Sequence, residues 1–507
     1  MTGISFNQIP PDWKVPLISI EVDNSQANTA TGTKPAIIVD YMTGGVGMPD
    51  VPIAIGSPSQ AAAMFGIGSP IERAFSAFFK LNKSQIVYCM GIIPPSTGTE
   101  ASGTITVSGT ATVSGIYDLY IAGQNVDVGV NADDDAVTVA TNIVQAIEAV
   151  DTLPVTATAN NGVVNLKAKW KGLNGNDISM RDSYRGTAGG EQLPAGLTIA
   201  YSGAFLAGGT GTPKWTDAIA SLGDEMYKFV SLAHTDSGSL QAWNTEFGFT
   251  DSGRWGWIRM LYGQIWSAVR GNYSTLISFG SGLNYPTSSI MAVEQDSPSP
   301  VWEWTAAYTA RASSAFTIDP ARPLQTLTLD GILPAQKQNR FSKTERNGLA
   351  SNGLATQTVY SNETPQIDRE QTTYQFNSYG RPDNSYELAT TLATLDEVLT
   401  RMANSITSKY PRHKLANDGT TFAPGQAIIT PKVARAELVT EYRRLEYDGL
   451  VENVADFKAN LITQRSDTNP NRLEVLYPPY LIGGLRNFDV LAQFRLQAAV
   501  STPVTEI

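Results

Sequence analysis

Residues 35–93 read PAIIVDYMTGGVGMPDVPIAIGSPSQAAAMFGIGSPIERAFSAFFKLNKSQIVYCMGII, and this stretch decides the fold class. PAIIVDYM and VPIAIGS are short apolar runs that predict strands. SPSQAAAMFG and SPIERAFSAFFKLN predict helices, each opened by a serine suited to capping and a proline whose fixed φ suits the first helical position. QIVYCMGII closes the stretch as a buried strand. Strands alternating with helices imply an α/β unit. Gly44, Gly45 and Gly47 follow the first strand, but GGVG lacks the third glycine and the downstream acid of a dinucleotide fingerprint, so it reads as a turn.

Upstream, residues 1–34 read as an arm. Prolines crowd its start, one short alternation follows (Ile18, Ile20 and Val22 against Ser19 and Glu21), and a polar tail ends it. Such a strand is either an edge of the chain's own sheet or an addition to another molecule's sheet. Downstream, the composition shifts to Thr, Val, Ala and Gly. TITVSG, YDLYIAG, NVDVGV, PVTATA and VVNLKAKW alternate as strands, Asn160-Asn161-Gly162 signals a hairpin, and DAVTVATNIVQAIEAV predicts a helix with Val137, Ala140, Val144 and Ile147 inward. This stretch interrupts α/β material between Pro/Gly-rich connectors and reads as an inserted domain. The run Asp133-Asp134-Asp135 lacks further oxygen ligands at calcium-loop spacing, so helix capping is the reading.

From residue 213 the α/β pattern returns. WTDAIASLG and SLQAWNTEFGF predict helices, and KFVSLAH, NYSTLISFG and SIMAV predict strands. Seven of the nine tryptophans fall between residues 215 and 304, a density that suits a core or an interface anchor. Residues 337–385 are polar and irregular, with alternating strands in TVYSNET and TYQFNSYG. The last third carries three helices. NSYELATTLATLDEVLTRMANSITSKYP has an Asn384–Glu387 capping-box pattern and a stripe of Leu388, Leu392, Leu395, Leu399, Met402 and Ile406. TPKVARAELVTEYRRLEYDG has Thr430 as N-cap, Pro431 at its first position and Gly449 at its end, and NVADFKANLITQR is the third. At the C-terminal end, Phe488, Val490, Ala492, Phe494 and Leu496 alternate with Asn487, Asp489, Leu491, Gln493 and Arg495, which predicts a long strand as suited to another subunit's sheet as to its own.

Composition excludes several classes. Of the 507 residues 16% are charged, with 36 basic and 47 acidic side chains and a net charge of −11, against roughly a quarter charged in ordinary soluble proteins. The acidic balance opposes broad nucleic-acid contact, which demands a basic face. No apolar run of about 18 residues predicts a transmembrane helix, and MTGISFNQIPPDWK lacks the pattern of a signal peptide, so use in a cytoplasm, or in something assembled there, is expected. Cys89 alone forbids an internal disulfide and a thiolate cluster, and it reads as a buried core residue. His234 and His413 have no second ligand at metal spacing. No P-loop, nucleophile elbow, zinc-protease or EF-hand motif occurs. No catalytic, cofactor-binding or metal residues are assigned.

Several long, separated segments resemble the tail sheath proteins of Mu-like contractile phages: ISFNQIPPDWKVPLISIEVDNSQA, DPARPLQTLTLDGILPA, RFSKTERNGLASNGLATQTVY and GLVENVADFKANLITQRSDTNPNRLEVLYPPYLIGGLRNFDVLAQFRL. The resemblance spans nearly the whole chain, and it implies a structural subunit without catalytic centre or cofactor. Such subunits stack as hexameric rings into a helical homo-oligomer around a tail tube, meet baseplate and tail terminator proteins, and contract to drive the tube through the host envelope. Neither nucleic-acid binding nor direct membrane insertion is implied. Localisation would be the virion tail, with assembly in the host cytoplasm. The implied fold class is α/β (α+β) multidomain: a sheath core built from N- and C-terminal segments, facing the tube, with an inserted β-rich outer domain. On this chain the expected division is an N-terminal arm (1–34), a core α/β segment (35–95), an inserted acidic β-rich outer domain (96–208), a middle α/β domain (209–336), a C-terminal core domain ending in a donated strand (337–500), and a tail (501–507).

Terminal arms of the family pair as strands with neighbouring subunits. Carried to this chain, the intersubunit candidates are Trp13, Ile18, Ile20, Val22, Phe488, Val490, Phe494 and Leu496. Lys432, Arg435, Arg443 and Arg444 on the second C-terminal helix are candidate tube contacts. A solvated helix face explains them equally, and the first C-terminal helix is a rival. The alternatives are a sheath of a phage-derived bacteriocin or injection device and, from another class, a β-rich adhesin or depolymerase. The low charge fits a subunit much of whose surface meets other subunits, because interface cores are depleted of charge. About half of the −11 belongs to the insert, with 11 acids against 5 bases over residues 94–207.

Overall fold

A computed structural model describes residues 34–360 and 362–496. Trp13, Ile18, Ile20 and Val22 lie outside the described residues. The chain opens with β1 (Ala36–Tyr41), β2 (Ile53–Ile55), α1 (Pro58–Phe65), α2 (Pro70–Leu81) and β3 (Val87–Ile92). Ser57 and Ser69 accept from the Gln60 and Glu72 amides, and a proline follows each cap. Both helix starts are therefore specified locally, as the Ser-Pro pairs predict.

A β-rich region follows: β4 (Glu100–Gly109), β5 (Gly115–Ile121), β6 (Gln124–Val130), α3 (Ala136–Glu148), β7 (Val155–Asn160), β8 (Val163–Lys171), β9 (Met180–Asp182) and β10 (Leu197–Tyr201). Its strands form a four-stranded antiparallel sheet, β10-β4-β8-β7, and a three-stranded one, β6-β5-β9. Asn160 pairs with Val163 across the β7–β8 hairpin. Asn161 and Gly162 between them take φ of 47° and 80°, the doubly left-handed turn that Asn-Gly favours. Asp135 caps α3 by accepting from the Thr138 amide at 2.8 Å. The inward face of α3 differs from the expected one: Val139, Ala140, Ile143 and Ile147 are buried, whereas Val137 is 51% exposed. The capped first turn points Val137 outward, and packing against both sheets selects a stripe about one residue round the helix.

The chain then adds α4 (Thr216–Ser221), β11 (Phe229–Leu232), α5 (Ser237–Glu246), β12 (Gln264–Gly271), α6 (Tyr273–Ser281), β13 (Ser288–Glu294), α7 (Val301–Ile318), α8 (Lys343–Ser351), β14 (Thr356–Val359) and β15 (Pro365–Arg369). A six-stranded sheet runs β13-β12-β11-β1-β3-β2, parallel except for the antiparallel edge strand β2. Residues 36–92 and 229–294 thus share one doubly wound sheet. NYSTLISFG, expected as a strand, is α6. Parallel β12 and β13 need a crossover between them, and a helix capped by Asn272 supplies it. The stretch expected to be irregular contains α8, opened by a reciprocal capping box of Ser342 and Glu345. TYQFNSYG forms no strand; instead Asn284 Oδ1 accepts from the Gln375 and Phe376 amides at 2.7 and 3.0 Å.

The last third comprises α9 (Ala389–Thr407), β16 (Lys414–Leu415), β17 (Ile428–Ile429), α10 (Pro431–Tyr447), α11 (Val454–Asn460), β18 (Ile462–Arg465) and β19 (Leu473–Leu476). The Asn384–Glu387 capping box does not form. Helix α9 begins one residue beyond Leu388 without a side-chain cap, because Glu387 turns to pair with Arg369 at 2.7 Å. Thr430 and Pro431 open α10, and Gly449 leaves it at a φ of 74°. NVADFKANLITQR splits into α11 and β18, since Ile462 and Thr463 pair with β19. Arg401–Glu441 and Lys409–Glu437 at 3.0 and 2.6 Å set α9 antiparallel to α10. Val398, Leu438, Tyr442, Leu445, Val451 and Phe457 form this region's own apolar cluster.

The β-rich region and the six-stranded body share one continuous buried cluster. Trp170 meets Trp302 edge-on at 5.7 Å. Arg270 grips Asp177 with two nitrogens, and Asp177 also accepts from the Val301 amide at the start of α7. Arg73 binds Glu303 at 2.6 Å and reaches the carbonyls of Ala122 and Thr152 at 3.0 Å each. Burial pushes the Glu303 carboxyl up, while Arg73 opposes that shift. Asn174 donates to buried Asp40 at 3.2 Å, and His234 meets the same carboxylate at 3.0 Å.

Candidate intersubunit and tube-facing surfaces

Helix α10 buries Ala434, Leu438, Tyr442 and Leu445 and leaves Lys432, Arg435, Arg443 and Arg444 in solvent. At 100° per residue, Lys432 and Arg443 lie about 20° apart and Arg435 about 60° to one side, whereas Arg444 is about 120° from Lys432. Three of the four candidates therefore share a stripe and Arg444 stands off it, 3.4 Å from Glu441. Arg435 is tied to the Lys458 carbonyl of α11. The Lys432 amide donates to Asp418 at 3.0 Å. Tyr447, 92% exposed, extends the same stripe and was not singled out from sequence; a helix-ending tyrosine carries no signal until its face is known. Beside the stripe runs an open groove of about 500 Å³ lined by Tyr410, Phe422, Val433, Ala436 and Thr440.

The chain end presents a different surface. Strands β18 and β19 form a sheet of two strands only. Its outer edges carry no ladder partner among the described residues, and Ile462, Val475 and Leu476 are exposed on it. Past β19, Tyr477 and Tyr480 pack on the C-terminal apolar cluster. Tyr480 and Leu481 bond to residues 451–452, and the Ile482 amide bonds to the Leu450 carbonyl. From Asn487 to Leu496 every residue is exposed and none joins a strand. Phe488, Phe494 and Leu496 stand 83–86% exposed, Val490 68% and Leu491 86%. Five large apolar side chains within nine residues are an exceptional load on a solvated segment. The expected long strand is thus unpaired among the described residues.

Cys89 and His234 are core groups, and His413 is half-buried. Cys89 is fully buried in β3, and burial pushes its thiol up. His234 sits against Asp40, Tyr41 and Trp215. His413 meets Tyr410 edge-on. Among the described residues, no group of three or more His, Cys, Asp or Glu side chains is placed to hold a metal ion, and no helix is long and apolar enough to cross a membrane.

Comparison with known proteins gives consistent matches. Residues 208–373 match the family described as the phage tail sheath protein central domain, and residues 381–495 match the phage tail sheath C-terminal domain. The Mu-like prophage FluMu tail sheath protein of Haemophilus influenzae is 34% identical over 497 residues, covering 97% of this chain and 100% of that protein. Among solved structures, the sheath tail protein of Desulfitobacterium hafniense is similar at a TM-score of 0.48 and 12% identity, with 93% of this chain and 97% of that one covered. The sheath tail protein of Listeria innocua follows at 0.47 and 11%, covering 90% and 94%.

Proposed function

The chain belongs to the Mu-like phage tail sheath family and is a structural component of the virion tail; on that premise we propose that it polymerises in the host cytoplasm as stacked hexameric rings around the tail tube, between baseplate and tail terminator. Contraction of this lattice then drives the tube through the host envelope. Membership of a structural-protein family implies a non-enzymatic role.

The observation that carries the assembly mechanism is the pairing of an unmet need with an unmet offer. Residues 487–496 alternate exposed apolar and polar side chains and join no strand among the described residues, within which the β18–β19 sheet also keeps open edges. A strand of about ten residues spans roughly 33 Å, and each main-chain hydrogen bond it gains is worth about 1 kcal/mol net. Residues 488–496 of one subunit therefore add to the β18–β19 sheet of a neighbour, and the arm around Trp13–Val22 joins the same exchange. The subunit body can then repack as a rigid unit between extended and contracted lattices while the donated strands stay bound. The exposed stripe of Lys432, Arg435 and Arg443, with Arg444 beside it, faces the tail tube.

Negative-stain microscopy of purified protein tests this reading. The full chain should form long cylinders, and chains lacking residues 1–25 or ending at Arg486 should remain soluble and unassembled. Normal cylinders from both truncated chains would overturn the exchange. Charge reversal at Arg443 and Arg444 should leave cylinders intact and abolish their attachment to tail tubes; unchanged attachment would remove those residues from the tube interface.

A further inference from the structure

Arg486 is the last residue of the chain that the body holds among the described residues. Its Nη1 donates to Glu370 Oε2 at 2.8 Å, its Nη2 bonds to the other carboxylate oxygen, and Nη2 also reaches Thr390 Oγ1 at 3.2 Å. Glu370 is completely buried and Arg486 nearly so. The landing point is not in the C-terminal apolar cluster. Glu370 directly follows β15, and its carbonyl accepts from the Ala389 amide that opens α9. Two neutral contacts accompany the ion pair: Gln325 Nε2 donates to the Leu485 carbonyl at 3.3 Å, and Gly484 lies so close to Pro323 that an added Cβ would sit 2.8 Å from its ring. From the next residue to Leu496 every residue is exposed and none joins a strand.

We propose that the Arg486–Glu370 pair is the anchor of the donated C-terminal strand, which fixes where residues 487 onward leave the subunit and passes a neighbour's pull into the six-stranded body. A bidentate guanidinium–carboxylate pair suits this task, since it fixes direction as well as position. Burying a charged pair gives little net stability over an apolar pair of the same size, so its presence at the exit point favours a positional role. Without it, tension on the strand would act on the contacts of Tyr480, Leu481 and Ile482 with residues 450–452, peeling the segment from the small C-terminal cluster. The inference rests on the strand-exchange reading above.

Three full-length variants test it. Arg486→Met removes the charge and keeps the aliphatic stem. Glu370→Gln with Arg486→Met removes both charges, which avoids leaving a buried carboxylate alone. Gly484→Val wedges the segment from Pro323 without touching the pair. In unassembled wild-type protein, chymotrypsin should cut the segment after β19 only beyond Asn487, after Phe488, Leu491 or Phe494. In each variant, cleavage after Tyr480, Leu481 or Leu485 should rise about tenfold, because cleavage tracks the open population, and cylinders should be shorter or absent. Unchanged cleavage in all three variants would overturn the anchor, as would faster cleavage with cylinders of normal length and shear resistance. A chain ending at Arg486 separates the two ideas: normal cylinders from it overturn strand exchange itself, whereas failure to assemble, together with normal cylinders from Arg486→Met, leaves exchange standing and removes the anchor.

Discussion

The inserted β-rich region and the C-terminal segment are both rich in alternating strand patterns, yet the molecule treats them in opposite ways. The insert pairs its strands internally and fuses with the body through Trp170–Trp302, Arg270–Asp177 and Arg73–Glu303. The C-terminal segment is held at Arg486 and then offers Phe488, Val490, Phe494 and Leu496 to solvent. The difference shows that an interruption in the chain need not be an articulation in the molecule. A long insertion with a shared core moves with its host, while residues 487–496, exposed and outside any strand among the described residues, take no part in that packing.

Four experiments break or sharpen this contrast. The largest effect is expected from replacing residues 97–207 by a short Gly/Ser linker, which exposes Trp302, Arg270 and Arg73 together; the product should be insoluble or molten, and a cooperatively unfolding, soluble product would show the insert to be an independent attachment. Trp170→Ala should cost about 3–5 kcal/mol in denaturant unfolding, the range for emptying a buried aromatic site. Asp177→Ala strands Arg270 at the seam and removes an acceptor from the start of α7, so about 3 kcal/mol is expected; a loss within measurement error would mean water enters the seam freely. At the other extreme, Phe488→Ser with Phe494→Ser should alter the unfolding free energy of the isolated subunit by no more than about 0.5 kcal/mol while blocking cylinder formation. A large loss of subunit stability from that pair would place the segment inside its own chain's core.

Local rules made some of this fold readable and left other parts dark. Ser-Pro helix starts, the Asn161-Gly162 turn and the apolar run of β1 are short-range devices, and each appears where its residues predict. Helix α7 is different. Trp302, Trp304, Tyr308 and Phe316 are buried, and so are Thr305, Thr309 and Ser313, which leaves no polar face to mark a helical period. Thr309 satisfies its hydroxyl on the Thr305 carbonyl at 2.7 Å, so burial on that side needs no apolar residue. Segment 273–281 has strand-like composition but is forced into α6 by the crossover between β12 and β13, a tertiary demand that local propensity does not contain. For the surfaces, the alternation of residues 488–496 was legible and its exposure, with no strand partner among the described residues, was not. The charges on α10 were legible, but their division between the stripe and Arg444, and the addition of Tyr447, depend on which face the helix buries.

Helix α9 has its opening turns in one core and its later turns in the other: Ala389 and Ala393 belong with the six-stranded body, while Val398, Met402 and Ile406 belong with the C-terminal cluster. Asp396 and Glu397, at the crossing point, bind Lys228 and Lys34 at 2.6 and 2.7 Å. Local melting of either core would have to break this helix at its middle or unwind it whole. Amide protons near Asp396–Val398 should therefore be among the slowest to exchange in the molecule, released only when the entire subunit opens. The two segments that match separate family descriptions would then register as a single foldon, with one calorimetric transition instead of two.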